Sequence, residues 1–332
     1  MRDAFIHELN LAAACDKDIH LITGDLGFGV LTQYEKDFPN QYTNAGVAEQ
    51  NMTGLAAGLA MNGFKVFTYS IGNFSTLRCL EQIRNDICYH DLNVTIVSVG
   101  GGFSYGGLGF SHHATEDFSI LRSLPGLSVY APSCIWEAKE LTKNLLGKLG
   151  PKYLRLDKSG MLSTRMDGET FSFEKVRDVS SGNLGIGSSA DILLVASGGI
   201  LEEALIAAEN LREKRLKVRV LSVHSLKPFD VDGFLKRAEN SKGVFSIEEN
   251  VVEGGLGSLL SESLLESGVR PKFFKRFGIH SDSHTSVVGD QKYLRSQHRL
   301  LGEQITKSIL DIMGVNRIHE KLAVLPVFEA RT

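Results

Sequence analysis

Short runs of β-branched and aliphatic residues alternate along this chain with longer stretches in which apolar residues recur every three or four positions. Such alternation marks strand–helix–strand units around a mainly parallel sheet. In the first half the short runs predict strands over 19–23, 65–70, 93–99, 127–130 and 153–156. The longer period predicts helices over 3–14, 50–61, 76–89 and 135–149. Within 50–61, Met52, Leu55, Ala56, Leu59 and Ala60 share one face, and Gly54 and Gly58 let a neighbouring backbone come close at some cost in helix propensity.

The period fails between 161 and 189, where Gly, Ser, Asp and Glu dominate and Ser180-Ser181-Gly182-Asn183 punctuates the chain. The expected organisation is therefore a first domain over 1–160, a linker over 161–189, a smaller second domain over 190–313 and a tail over 314–332 without clear period. In the second domain strands are expected over 191–196, 218–222, 243–248 and 272–276, with helices over 201–212, 257–266 and 303–313. The fold class is α/β: two three-layer α/β/α domains with mainly parallel sheets.

Length and composition narrow the possible functions. At roughly 150 residues per domain, 332 residues make about two. The formal charge of −3 comes without a basic stripe, which argues against a nucleic-acid partner. No apolar run approaches about 18 residues, so no membrane span is expected. Met1-Arg2-Asp3-Ala4-Phe5 lacks an apolar signal core. Cys15, Cys79, Cys88 and Cys134 lie far apart with no CxxC pair, which suits reduced thiols in a cytoplasmic protein and gives no zinc or other metal site.

A glycine cluster, Gly100-Gly101-Gly102 through Gly106-Gly107-Leu108-Gly109, follows a strong strand. It is not a dinucleotide fingerprint, because Tyr105 and His112 stand where G-x-G-x-x-G requires glycine. A ligand-approach loop and a plain surface loop both stay open. His280 and His284, four apart among turn-forming residues, read as surface histidines, and on local evidence so does the pair His112-His113.

The decisive segment is Thr43-Asn44-Ala45-Gly46-Val47-Ala48-Glu49-Gln50-Asn51-Met52. Locally, Glu49 is an acid at a helix start, favoured there by the helix dipole. The whole string, followed by a small-residue helix, resembles the thiamine-diphosphate signature of the transketolase family. The resemblance continues through Phe67–Ser70, Phe74, Arg78, Glu81-Gln82-Ile83-Arg84-Asn85, Gly109-Phe110-Ser111-His112-His113, Pro125–Pro132 and Pro151–Lys158, and spans about residues 1–315.

That resemblance implies a pyrimidine-binding domain followed by a transketolase C-terminal-like domain. It gives Glu49 the task of activating the cofactor's aminopyrimidine, and Phe74 the task of stacking on it with Ile71 as an aliphatic wall. Asp25 matches an acid near the cofactor. His112 matches the family's substrate histidine with His113 beside it, and Arg2 and Lys158 match cations that hold a sugar phosphate. Several positions depart from the pattern: Ile71 and Leu77 stand where the family has aromatics, Lys158 where it has arginine, Leu108 where an aspartate often reads a sugar hydroxyl, and Gly100 where a histidine is usual.

The family's diphosphate and magnesium motif, Gly-Asp-Gly with a later Asn, does not occur. The chain is thus expected to need a separate diphosphate-binding subunit that brings Mg2+, and to form a self-dimer within an α2β2 heterotetramer. The implied activity is transfer of a two-carbon ketol unit between a ketose, expected to be phosphorylated, and an aldehyde. The alternatives are the beta subunit of a 2-oxo-acid dehydrogenase decarboxylase and a 1-deoxyxylulose-5-phosphate synthase-like enzyme.

Overall fold

The structure is a computed structural model and describes residues 1–158, 160–180, 188–280 and 287–315. Most of the tail, and His284, lie outside the described residues. Twelve strands are described: β1 (Ile19–Thr23), β2 (Tyr42–Asn44), β3 (Lys65–Ile71), β4 (Val94–Val99), β5 (Ser128–Tyr130), β6 (Lys152–Leu156), β7 (Arg177–Asp178), β8 (Ala190–Ser197), β9 (Val218–Ser222), β10 (Ser225–Lys227), β11 (Ser241–Val251) and β12 (Phe273–Ile279).

They form a seven-stranded sheet in the order β10-β5-β6-β4-β3-β1-β2 and a five-stranded sheet in the order β12-β11-β8-β9-β7. Each is parallel except for one antiparallel edge strand, β10 against β5 and β7 against β9. Helices cover both faces of the first sheet. Phe5 and Leu9 of Arg2–Cys15 pack with Leu141 and Leu145 of Ile135–Gly147 on one side, and Met52 and Ala56 of Glu49–Met61 pack with Ile83 and Ile87 on the other. A sheet covered on both faces buries its central strands on both sides, which is why β1 and β4 are buried at every position, their few polar residues included.

Three features differ from the sequence expectation. The helix expected over 76–89 is a succession of a 3-10 turn (Leu77–Cys79), a single α turn (Leu80–Gln82) and a π-helical turn (Ile83–Cys88). The widened π turn lets Ile83, Ile87 and Cys88 all face the core. Short helices at Asp117–Ser123, Val231–Ala238 and Gln291–Gln297 were also not foreseen. Finally, β10 leaves the second domain's stretch of chain to extend the first domain's sheet.

A buried ionic network joins the two sheets. Arg155 of β6 donates to Asp117 at 3.0 Å and to the carbonyl of Glu249 at 2.9 Å. The Glu249 carboxylate accepts from the amide of Phe103 at 2.6 Å and pairs with Arg295 at 2.6 Å. Beside it Asp157 accepts from the amide of Gly199 at 2.7 Å. Such networks hold one arrangement when every member is partnered.

Burial pushes the Asp157 carboxyl up to about 6, from 3.8, against the pull of the Arg155 cation. Its folded value lies above its unfolded one, so its contribution to stability is full below about pH 4 and is lost as pH rises through 6. Asp157→Asn keeps an acceptor for Gly199. It should stabilise the protein by about 1–3 kcal/mol at pH 8 and by nothing measurable near pH 4. Thermal melts of both proteins at the two pH values check this, and an equal difference at both would contradict it.

Candidate active site

From β1 the chain moves outward to β2, whereas from β3 it moves the other way to β4. The neighbouring strands β1 and β3 are therefore where the order reverses, and a crevice opens beyond the carboxyl ends of such a pair. Asp25 follows β1, Glu49 starts the helix after β2, Phe74 lies in the turn after β3, and His112 is on the loop after β4. Residues scattered over the sequence are thus gathered at one end of one sheet.

Glu49 is 3% exposed, although it carries a carboxylate. Its Oε2 accepts from Nη1 of Arg78 at 2.9 Å, and the Arg78 side chain is 47% exposed. The Arg78 guanidinium also lies over the Phe74 ring, 4.5 Å from its centre. Phe74 in turn meets the His112 imidazole edge-on at 5.1 Å. Glu49, Arg78, Phe74 and His112 therefore form one continuous line of contacts. Asn73 supports it by donating to the carbonyls of Phe110 and Ser111 at 3.5 and 3.3 Å.

Asp25 has a left-handed backbone, with φ at 55°. It exchanges two hydrogen bonds with Asn44, its amide donating to Oδ1 and its Oδ1 accepting from Nδ2, both at 3.0 Å. Asn44 Oδ1 also accepts from Gly46 at 3.0 Å. The effect is to tie the exits of β1 and β2 together just before Glu49. Ile71 closes β3, half-buried.

His113 points elsewhere. It is buried, meets Phe103 edge-on at 5.2 Å and contacts the carbonyl of Gly106 at 3.3 Å. Arg2 pairs with Asp3 at 3.2 Å, and Lys158 rests on Tyr105. The Lys158 ammonium lies over its ring at 5.4 Å. Burial raises the Tyr105 phenol, and the charge of Arg2 opposes that rise.

Two residues of this region, Arg78 and Tyr105, had no role in the sequence reading. Arg78 lies in the 3-10 turn Leu77–Cys79 and Phe74 in the preceding turn Gly72–Ser75, with non-helical Thr76 between them, so no helical period signals their contact. Tyr105 had a faint signal in Gly100. A Cβ on Gly100, whose φ is +89°, would lie 2.1 Å from the Tyr105 ring. The ring fills the space a side chain at 100 would need.

Around the crevice several apolar side chains stay exposed, among them Phe28 at 83%, Val47 at 75%, Leu108 at 59% and Phe110 at 54%. Exposed apolar groups of this kind mark interaction surfaces. Among the described residues no group of three or more His, Cys, Asp or Glu side chains could hold a metal ion. No described helix is long and apolar enough to cross a membrane.

Comparison with known proteins adds to this geometry. Residues 1–162 match the family model for the transketolase pyrimidine binding domain, and residues 186–281 match that for the transketolase C-terminal domain. An apulose-4-phosphate transketolase subunit from Phocaeicola vulgatus is 33% identical over 314 residues, covering 94% of this chain and 97% of that protein. Its namesake from Actinobacillus succinogenes is 32% identical over 282 residues, 85% of this chain and 88% of that protein. A solved structure described as a split gene transketolase, inactive beta4 tetramer, superposes with a TM-score of 0.80 at 28% identity, covering 94% of this chain and 97% of that one.

Proposed function

This chain belongs to the transketolase family, and from that premise we propose that it is the pyrimidine-binding subunit of a split transketolase. It moves a two-carbon ketol unit from a ketose to an aldehyde when a separate subunit supplies the diphosphate and Mg2+ half of the site. The observation that carries this reading is Glu49: a buried carboxylate at a strand-order reversal, whose one side-chain partner among the described residues is the half-exposed Arg78. Support for the split arrangement comes from relatives that are themselves named as subunits.

The residues fit the pyrimidine half of thiamine diphosphate. A flat ring bearing nitrogens needs an aromatic face and a carboxyl at its edge, and Phe74 and Glu49 offer both in a crevice that Arg78 spans. When bound, the cofactor supplies the electron sink for carbon–carbon cleavage. The chain's own residues do the rest. Glu49 holds a proton at its carboxyl against a ring nitrogen, where burial keeps water from competing. Phe74 orients the ring by stacking, with Ile71 as a wall. Arg78 has to leave the Phe74 face for that stacking to occur. His112 donates to a substrate hydroxyl, while Arg2 and Lys158 pair with a substrate phosphate. Asp25 acts through its tie to Asn44, fixing the approach to Glu49.

Leu108 shapes the choice of sugar. An aliphatic group cannot hydrogen-bond a hydroxyl, and a buried unpaired hydroxyl costs on the order of 1–3 kcal/mol. Deoxy or branched ketoses should therefore be preferred over ordinary pentose phosphates by about 5- to 150-fold in kcat/KM. Leu108→Asp should narrow that preference.

The test is a ketol-transfer assay of the reconstituted pair, with products identified by mass. Transfer to an aldehyde supports the proposal. Release of CO2 from a 2-oxo acid without ketol transfer would instead assign the chain to a decarboxylase.

A further inference from the structure

The second domain holds a cavity of about 530 Å³ that the proposed reaction does not use. Its lining includes Lys275, Arg276, His280, His298, Arg299 and the hydroxyl-bearing Ser308, and among the described residues no carboxylate lines it. Three permanent cations and two imidazoles around one cavity contrast with a chain whose overall formal charge is −3. Arg276 is committed to the fold, since it donates to the carbonyl of Val252 at 2.8 Å and to Ser258 at 3.2 Å. Lys275 and Arg299 are not. The Lys275 ammonium rests on the Phe277 ring at 5.3 Å, and neither Lys275 nor Arg299 has an acidic partner among the described residues. Arg299 also takes a left-handed backbone, with φ at 59°. A long charged side chain gains nothing from that conformation, which glycine adopts freely.

We propose that this cavity binds a phosphorylated small molecule, with Lys275 and Arg299 pairing with its phosphate and His280 and His298 beside it. Several cations without an acidic partner among the described residues, set around a concave wall, favour a compact multivalent anion, and a phosphate ester brings one with two charges and several acceptor oxygens. The volume suits a ligand of metabolite size, from a sugar phosphate to a nucleotide. His298 links the cavity wall to the first domain. Its ring stacks on Phe103 at 5.2 Å, and Phe103 meets His113, the neighbour of His112. An occupant touching His298 therefore sits one aromatic contact away from the loop that carries His112.

This site is separate from the Glu49 crevice, so it is tested on the purified chain without any assay of turnover. Calorimetric titration is run with inorganic phosphate, a hexose phosphate, ADP and the unphosphorylated hexose. Saturable one-to-one binding of at least one phosphorylated ligand, with none for the free hexose, is the expected result. Comparable affinity for inorganic phosphate and an ester would assign recognition to the phosphate alone, and tighter binding of one ester would identify the class of the remainder.

Arg299→Gly suits the left-handed backbone, and Lys275→Gln lies on an exposed position of β12. Each should weaken binding at least tenfold with the melting temperature maintained, whereas Lys307→Gln, an exposed cation outside the lining, should not. Absence of saturable binding, or affinity unchanged in both cavity variants, would overturn the proposal.

Discussion

Glu49→Gln should reduce turnover of the reconstituted enzyme by about 10²- to 10⁴-fold while leaving the fold intact. The amide matches the carboxylate in shape and still offers an oxygen to Arg78, so the contact made at 2.9 Å survives in weakened form. What it loses is the capacity to share a proton with a ring nitrogen. Because Glu49 is buried, no water stands ready to replace it. The informative measurement is hydrogen–deuterium exchange at the reactive carbon of the cofactor, which isolates activation from substrate binding. Exchange slowed by orders of magnitude, with an unchanged circular-dichroism spectrum and nearly unchanged melting temperature, is the expected outcome. Exchange at the original rate would remove Glu49 from the chemistry.

The second large effect concerns assembly. The purified chain alone should show no ketol transfer, and mixing with a diphosphate-binding subunit should switch activity on as a 2:2 complex forms. The chain presents Glu49, Phe74 and His112 at the end of one sheet, but it lacks the motif that would hold a diphosphate and its Mg2+. The crevice is rimmed by Phe28, Val47, Leu108 and Phe110, and their exposure fits a surface that another subunit covers. Val47→Asp or Phe110→Asp, placing a charge in that covered surface, should weaken association about 30-fold or more. Light scattering of the chain, the partner and the mixture reads the stoichiometry. Self-association of the chain through its second domain should survive both substitutions. Full activity from the chain alone would show that the diphosphate half of the site had been overlooked.

The sequence by itself determined the two α/β units and the position of Glu49. Strands buried on both faces and helices with one apolar stripe leave periods of their own, because each element's burial is written in its own residues. The Glu49 string was legible for a different reason: a helix start, an acid and a run of small residues are contiguous, so the local order carries the signal. The exit from β1 through Gly24-Asp25 was legible only as a matching acid, and its exchange of hydrogen bonds with Asn44 needed the structure.

Tertiary structure decided what lies between elements. The stretch over 76–89 has a helical period, yet packing of Ile83, Ile87 and Cys88 against the core opened it into a π turn. Strand β10 is three residues long, too short for any period, and exists because the edge of β5 was free to pair. Arg78 reaches Glu49 across 29 residues of chain, and Glu249 reaches the amide of Phe103 across 146. Tyr105 takes the space that Gly100 leaves. These contacts depend on where two surfaces meet after folding, and no local pattern encodes a distance between surfaces. The physical division is between burial, which each segment records in its own spacing, and complementarity, which arises only when distant segments are brought together.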